Sequence, residues 1–350
     1  MIKLNDSPVR TSRNFRINNI KIDDVMLPEG RTAFDGGSFS SSFCSENNIE
    51  PIADLKYGLG DIACDNVREF YNYSTKIGVD RVDDIRFSFD FDEDNVSLVD
   101  YIEVEAKADC NISIVYDSKS DLKCFHNGIF KLRAEHGVKV NVSIINLLND
   151  SSINLHAIEN CIDDDSVVNY TIIDIGAKYS VSNYYSNMFG TNGINSLKTV
   201  YLGTKNQVKD INYIAELYGE KTDINIDVQG ALKNGSKKNF KGTIDFKKGC
   251  KKAVGNENEY CMLLSKDSKS IALPMLLCQE DDVEGNHSSA SGKVDDKELF
   301  YIMSRGVQYN DAVKIIVKAR LNEIVEGIKN GDLKNQILDV IDERLGDDHE

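Results

Sequence analysis

The chain has 350 residues, 41% of them hydrophobic, and a formal net charge of −16, and its length allows one large domain or two of ordinary size. So acidic a chain repels phosphate backbones, which argues against a nucleic-acid partner. No apolar run approaches the roughly 20 residues that cross a bilayer, and no secretory signal opens the chain, so we expect a soluble, cytoplasmic protein without a membrane partner.

Residues 1–95 form the first predicted region. Most of it is irregular and rich in turn-forming residues, and its fold stays open at this stage. A short helix is predicted around residues 65–73.

Residues 96–290 form the second predicted region, which consists of short runs with alternating apolar and polar residues. From Val138 to Ile144, every second residue is Val or Ile, and this period of two indicates a strand with one buried face. The runs recur about every dozen residues between turns rich in Gly, Asn, Asp and Ser, a rhythm typical of a sandwich, a barrel or a β-solenoid. The low count of four prolines and the Asn- and Gly-rich turns favour the solenoid. Similar runs lie at residues 112–116, 153–158, 167–175, 197–202, 213–218 and 240–246.

Residues 291–350 form the third predicted region, which is helical. Asp295 or Asp296 is expected to cap a first helix. Asn310 is predicted to cap a second helix with a broad apolar stripe, and Asp332 to open a third. A β block followed by a helical block predicts a composite architecture.

The cysteines do not form a recognisable metal motif. None belongs to a Cys-x-x-Cys pair, so the spacing fits neither a structural zinc site nor a self-contained iron–sulfur motif. A metal site would have to be assembled from distant residues or from two chains. The eight positions are 44, 64, 110, 124, 161, 250, 261 and 278.

The sequence also lacks the usual catalytic motifs, including a phosphate-binding Gly-rich loop and the dinucleotide-binding glycines. The densest polar cluster is EDDVEGNH at residues 280–287. Its imidazole and carboxylates are ligands that iron accepts, which allows a metal site. An acidic surface turn explains the same residues, and spacing alone favours that simpler reading.

Four segments near the end of the chain form one signature: CMLLS at 261–265, LP at 273–274, DDV with His287 at 281–287, and LFYIMSRGV at 299–307. Together they resemble the C-terminal part of the SufB/SufD family of iron–sulfur cluster assembly scaffolds. The resemblance covers at least residues 190–330. It implies a mainly β fold, in which a right-handed parallel β-helix core lies between an irregular N-terminal region and a C-terminal α-helical domain.

The resemblance also implies a function. The chain would be a non-catalytic scaffold subunit, not an enzyme, that pairs through the end of its β-helix with a SufB-like subunit or a second copy of itself. Its C-terminal helical region would bind a SufC-like ATPase, and within the signature we assign this contact to Phe300, Tyr301, Arg305 and Gly306. For Phe300, a buried structural role is the equal alternative. The iron–sulfur cluster would be transient, held at the subunit interface and not tightly bound by the isolated chain.

The candidate metal ligands implied by the resemblance are His287 and Cys261. The histidine is the position that SufD proteins contribute to the cluster site, whereas the family cysteine two residues before it is Gly285 here. An essential SufB cysteine falls on Glu259, and Cys261, two residues away on the same strand face, is the available substitute. The alternative, which we favour for Cys261, is a buried core cysteine. These departures make the chain SufD-like. They leave two alternatives open, a structural homodimer that has lost cluster binding and a β-helix enzyme acting on polysaccharide.

Overall fold

The computed structural model describes residues 1–9, 17–23, 25, 27–43 and 45–346. Strands make up 49% of the chain and wind into a parallel β-solenoid of about eight turns, followed by helices. Cys44 lies outside the described residues, and the other seven cysteines carry free thiols. Within the described part, no helix is both long and apolar enough to span a membrane.

Each turn of the solenoid contributes one strand to each of two nine-stranded sheets, as far as the described residues show. The first sheet contains β3 (Gly37–Ser40), β6 (Asp83–Phe91), β8 (Cys110–Ser118), β10 (Lys139–Leu147), β12 (Val167–Asp174), β14 (Ile194–Gly203), β16 (Asp223–Leu232), β18 (Ala253–Leu263) and β20 (Val283–Gly292). The second contains β4 (Glu46–Asn47), β5 (Tyr73–Val79), β7 (Ser97–Ala106), β9 (Phe125–Ala134), β11 (Ile153–Ile162), β13 (Tyr179–Met188), β15 (Val208–Leu217), β17 (Lys237–Phe246) and β19 (Lys269–Cys278).

The apolar positions of the alternating runs fill the space between the two sheets. In β10, Val140, Val142 and Ile144 are almost completely buried, which confirms the strand predicted there. The parallel strands stack in register, so each inward side chain lies on its counterpart one turn away. Burying each such side chain stabilises the fold by about 1.5–3 kcal/mol.

Asparagine residues form several corners between the strands. Asn192, Asn206 and Asn234 have φ angles of 56°, 62° and 51°, in the left-handed region that asparagine tolerates better than most residues. The abundance of asparagine in the turns, which favoured a solenoid, therefore has a direct backbone cause.

The N-terminal end of the solenoid is covered. The short strands β3 and β4 pair antiparallel with β6 and β5, so each sheet ends in a strand of reversed direction. The parallel pairing begins with β5, upstream of the predicted start at residue 96. Ile85, Phe87, Phe89 and Phe91 of β6 are apolar at every second position, the same pattern that predicts the later strands.

The rest of the N-terminal region lies against the outer face of the second sheet. It contains the antiparallel pair β1 (Ile2–Leu4) and β2 (Ile20–Ile22), and α1 (Asp61–Phe70), which overlaps the helix predicted at 65–73. Asn5 anchors this region. Its side-chain amide donates to the Asp210 carboxylate at 2.7 Å, and its backbone carbonyl accepts from the buried Lys241 ammonium at 2.8 Å. Lys241 also pairs with Asp210 at 2.7 Å.

A second anchor is Glu216, whose carboxylate accepts hydrogen bonds from Lys56, from the Tyr57 hydroxyl at 3.0 Å and from the Tyr185 hydroxyl at 2.6 Å. Burial alone would raise the pKa of this carboxyl group. The hydrogen bonds from Lys56, Tyr185 and Lys247 outweigh burial and lower the pKa to about 2.

The C-terminal helices are α2 (Asp296–Met303), α3 (Tyr309–Val325) and α4 (Gly331–Gly346). The Asp295 carboxylate caps α2, as predicted, by accepting from the Lys297 amide at 2.7 Å. The predicted cap at Asn310 is wrong, because α3 already includes this residue and Gln308 holds the extended cap position without a side-chain hydrogen bond.

Helices α3 and α4 cover part of the outer face of the first sheet. Val317 and Ile337 belong to one buried cluster with Ile145, Ile173 and Val200 of the sheet. The predicted apolar stripe is therefore the surface that attaches the helices to the solenoid. The α4 helix begins at Gly331, one residue before the predicted Asp332.

Candidate functional site

The C-terminal end of the solenoid is open. Strands β19 and β20 are the last members of their sheets, and no described strand stacks on either one. Every residue of β20 is exposed or partly exposed, in contrast to the buried strands of the preceding turns. The inner face and the free backbone edge of the last turn are therefore accessible from solvent.

His287 lies on the inner face of β20. A Cβ atom on Gly285 would contact the interior side chains of Phe246 and Leu276, at 3.1 and 3.3 Å, and the Ser289 hydroxyl donates to the buried Glu259 at 2.8 Å. Because side chains alternate along a strand, His287, two residues from both Gly285 and Ser289, also points inward. The exposed imidazole of His287 thus belongs to the mouth of the solenoid interior.

Glu257 lies directly beneath this histidine. Its position in β18 is in register with His287, and its side chain points inward toward Gly242 of the opposite sheet. The residue is only 1% exposed, and neither carboxyl oxygen has a hydrogen-bond partner among the described residues. Burial, together with repulsion from Glu259, raises the pKa of this carboxyl group to about 8.

Glu259, the position that the resemblance aligns with a family cysteine, forms a buried ion pair. Lys238 lies 2.6 Å from its Oε1 atom, and the Tyr201 hydroxyl donates to the same atom at 3.2 Å. With the additional bond from Ser289, the carboxylate is fully engaged by neighbouring side chains.

Cys261 is completely buried on the same inward face as Glu259, as strand alternation predicted. Burial raises the pKa of its thiol, which disfavours the thiolate that binds iron. In register it lies beside Ser291, four residues beyond the level of His287, which is about 13 Å along the strand. The two candidate ligands therefore share a face but do not meet at one ion.

The donors at the mouth suit iron but not a complete cluster. An imidazole and a carboxyl group are ligands that ferrous iron accepts, whereas iron–sulfur clusters are held mainly by thiolates. Among the described residues, no group of three or more His, Cys, Asp or Glu side chains could hold a metal ion. The chain by itself thus offers at most part of a ligand set.

Glu257 escaped the sequence analysis for a physical reason. In the segment NENE at 256–259, inward and outward positions are equally polar, so alternation does not tell which face is buried. The one available signal was Gly242, since a glycine in the middle of a strand often marks a close approach by another group.

The residues predicted to bind a partner form an exposed surface at α2. Phe300 and Tyr301 are 75% and 59% exposed, so neither is a core residue of the helical region. The Arg305 guanidinium lies 4.6 Å from the centre of the Tyr301 ring and donates to its hydroxyl at 2.5 Å. Gly306 follows α2 with a φ of 92°, a left-handed conformation that favours glycine. We call Phe300, Tyr301 and Arg305 the α2 surface.

Comparison with known proteins connects these features to one family. Residues 91–320 match the family described as "SUF system FeS cluster assembly, SufBD core domain". The chain is 26% identical over 166 residues to the iron–sulfur cluster assembly protein SufD of Bacillus subtilis, an alignment that covers 47% of this chain and 38% of that protein.

Two further relatives agree. SufD of Escherichia coli is 32% identical over 106 residues, covering 30% of this chain and 25% of that protein. An iron–sulfur cluster assembly SufBD family protein of Pyrococcus horikoshii is 31% identical over 162 residues, an alignment that covers 45% of this chain and 35% of that protein. The alignments therefore span between a quarter and two fifths of the length of these relatives.

Proposed function

The chain belongs to the SufB/SufD family and is SufD-like, and from this we propose that it is a non-catalytic, cytoplasmic scaffold subunit for iron–sulfur cluster assembly. The observation that carries the proposal is the open end of the solenoid, where His287 is exposed and Cys261 lies about 13 Å away along the strand direction. In this role the cluster is cargo, assembled and then passed on.

We propose that the open end pairs with a SufB-like subunit. Two free strand edges, β19 and β20, offer unpaired backbone groups that a second β-solenoid could extend. His287 would contribute one ligand to a cluster at this interface, and the partner would contribute the thiolates. The burial of Cys261 supports this division of roles.

We further propose that the α2 surface binds a SufC-like ATPase, next to Gly306. Exposed aromatic side chains beside an arginine are typical of the residues that dominate binding energy in protein interfaces. ATP hydrolysis would belong to this partner, since the sequence contains no phosphate-binding loop. The purified chain alone should therefore show no ATP turnover above buffer.

Co-purification tests the complex. The chain would be expressed with a SufB-like and a SufC-like protein, as wild type and as Phe300→Ser/Tyr301→Ser. We expect the variant to keep the SufB-like chain and to lose the ATPase at least tenfold. Phe189→Ser, which changes an exposed phenylalanine outside α2, is the matched control. Equal retention of the ATPase by the double variant would overturn the assignment of the α2 surface.

The cluster role is tested with the same complex. We expect His287→Ala to lower reconstituted cluster content, measured by visible absorption and iron analysis, while His136→Ala, at an exposed histidine on another part of the solenoid, leaves it unchanged. Equal cluster content in both variants would remove His287 from the ligand set.

A structural homodimer is the second candidate. The buried pair of Glu259 with Lys238, at the position that aligns with the essential cysteine, favours it. Native mass measurement separates the two candidates. A pair of identical chains that excludes the SufB-like protein would support the homodimer.

A further inference from the structure

Glu257 combines three properties that packing alone does not explain. Its carboxyl group is enclosed, both oxygens lack a partner among the described residues, and the space it occupies depends on a glycine. A Cβ atom at position 242 would lie 2.0 Å from Oε1 of Glu257, so any side chain larger than glycine there would displace the carboxyl group. Buried polar groups in native proteins are normally satisfied, and an exception indicates a missing ion, water or function.

The position of Glu257 relative to His287 indicates a cation. The two residues are paired in adjacent strands of a parallel sheet and extend from the same face, so their backbones are about 4.8 Å apart. Divalent first-row metals bind imidazole nitrogen and carboxylate oxygen at roughly 2 Å, a separation that two flexible side chains on neighbouring strands can satisfy around one ion. The ion takes the place of the proton on the Glu257 carboxyl group, because metal binding releases the protons of its ligands.

The neighbouring carboxylate provides a contrast within the same strand. Glu259 also points inward, but it is engaged by Lys238, Tyr201 and Ser289, so it has a protein partner for its charge. Glu257, one inward position before Glu259, lies at the level of His287 and has no such partner in the described chain. Of the two acids, only Glu257 is therefore available to a ligand.

We propose that Glu257 and His287 together form a site for a single ferrous ion in the mouth of the solenoid. The nitrogen and oxygen donors suit a ferrous or similar divalent ion better than a soft, thiolate-seeking one. Water or a partner at the open end supplies the remaining coordination positions. The identification of iron rests on the proposed function in cluster assembly, whereas the choice of the two ligands rests on their register and on the unpartnered carboxyl group of Glu257. The site gives this subunit a place to hold iron before it meets sulfide or a thiolate-bearing partner.

Metal titration of the full chain tests the site directly. The apo protein would be titrated anaerobically with Co2+, whose visible absorption reports its ligands, and with Fe2+ by equilibrium dialysis. We expect one saturable equivalent for the wild type, and at least tenfold weaker binding for Glu257→Gln and for His287→Ala. Controls are Glu284→Gln, an exposed carboxylate on the outer face of the same last strand, and His136→Ala, an exposed histidine elsewhere.

A second variant separates loss of a ligand from loss of the fold. Glu257→Asp keeps a carboxylate on a shorter side chain and should bind Co2+ between the wild type and Glu257→Gln, while circular dichroism of all variants stays the same. Binding by Glu257→Gln equal to the wild type would overturn the proposal, as would equal losses in both controls, which would mean an adventitious ion only. Because the titration uses the chain alone, its result is independent of the co-purification experiment, and either proposal can fail without the other.

Discussion

The buried pair of Lys238 and Glu259 allows a quantitative test of how the last turns are held together. Both side chains are at most 1% exposed, and their charged atoms lie 2.6 Å apart. Removing one partner leaves an uncompensated charge in the interior, which typically costs about 3–5 kcal/mol, whereas replacing both with apolar residues is often neutral. The contacts of each residue predict which single replacement is worse.

Lys238→Met leaves Glu259 with two hydroxyl donors, Tyr201 at 3.2 Å and Ser289 at 2.8 Å, so we expect a loss of about 3 kcal/mol. Glu259→Met leaves the ammonium group with one long hydrogen bond, to the Ile271 carbonyl at 3.5 Å, and with the Tyr201 and Phe240 rings each 5.8 Å away, and should cost about 5 kcal/mol. The double variant should lie within about 1 kcal/mol of the wild type.

Urea unfolding at pH 7, followed by far-UV circular dichroism, gives the free energy of unfolding of all four proteins. A coupling energy of several kcal/mol between the two sites is the expected result. If the two single losses simply add in the double variant, the pair is not the interacting unit described here. Single losses below about 1 kcal/mol would mean that solvent reaches the pair.

Three further outcomes follow from particular contacts. Glu216→Gln should lower the free energy of unfolding by about 2–3 kcal/mol at pH 7. Because the carboxyl pKa is depressed to about 2, the wild type should lose this advantage as pH falls from about 4.5 toward 2. Urea unfolding across this pH range should show this loss of stability in the wild type and not in the variant. Phe300→Ser should change the free energy of unfolding, measured in urea, by no more than about 0.5 kcal/mol, since the side chain is 75% exposed; a larger loss would reveal a packing role. Gly242→Ala should destabilise the protein by about 1–3 kcal/mol through its clash with Glu257, and thermal unfolding of Gly242→Ala/Glu257→Ala should show most of the loss recovered.

The regular parts of the fold were predictable because a solenoid repeats a local pattern. The alternation around Val140 and the asparagine corners determine strand, face and turn without long-range information. The helical stripe that includes Val317 was predictable for the same reason, although the surface it covers was not. The antiparallel strands β3 and β4 are too short to show a period, so the covered end escaped the sequence analysis.

The candidate site was only partly predictable because it depends on register between turns. Strand alternation placed Cys261 and Glu259 on one face correctly, since both belong to one strand. The relation of His287 to β18 depends on how residues 264–282 form β19 and its two flanking turns, and this cannot be read from local pattern. That register pairs His287 with Glu257 and leaves Cys261 about 13 Å away.

The different ends of the solenoid limit how large an assembly it can form. A parallel solenoid open at both ends could stack head to tail without limit, as the strands of cross-β fibrils do. In the described chain, one end carries the short antiparallel strands β3 and β4, which are poor templates for a further parallel strand, whereas no further strand pairs with β19 or β20 at the other end. A second solenoid of the same kind could then pair only through its own β19 and β20 edges. That contact would occupy the one open end of each chain. If chains pair through this end, as proposed above, association would stop at two subunits and the buried contact would form without fibre growth.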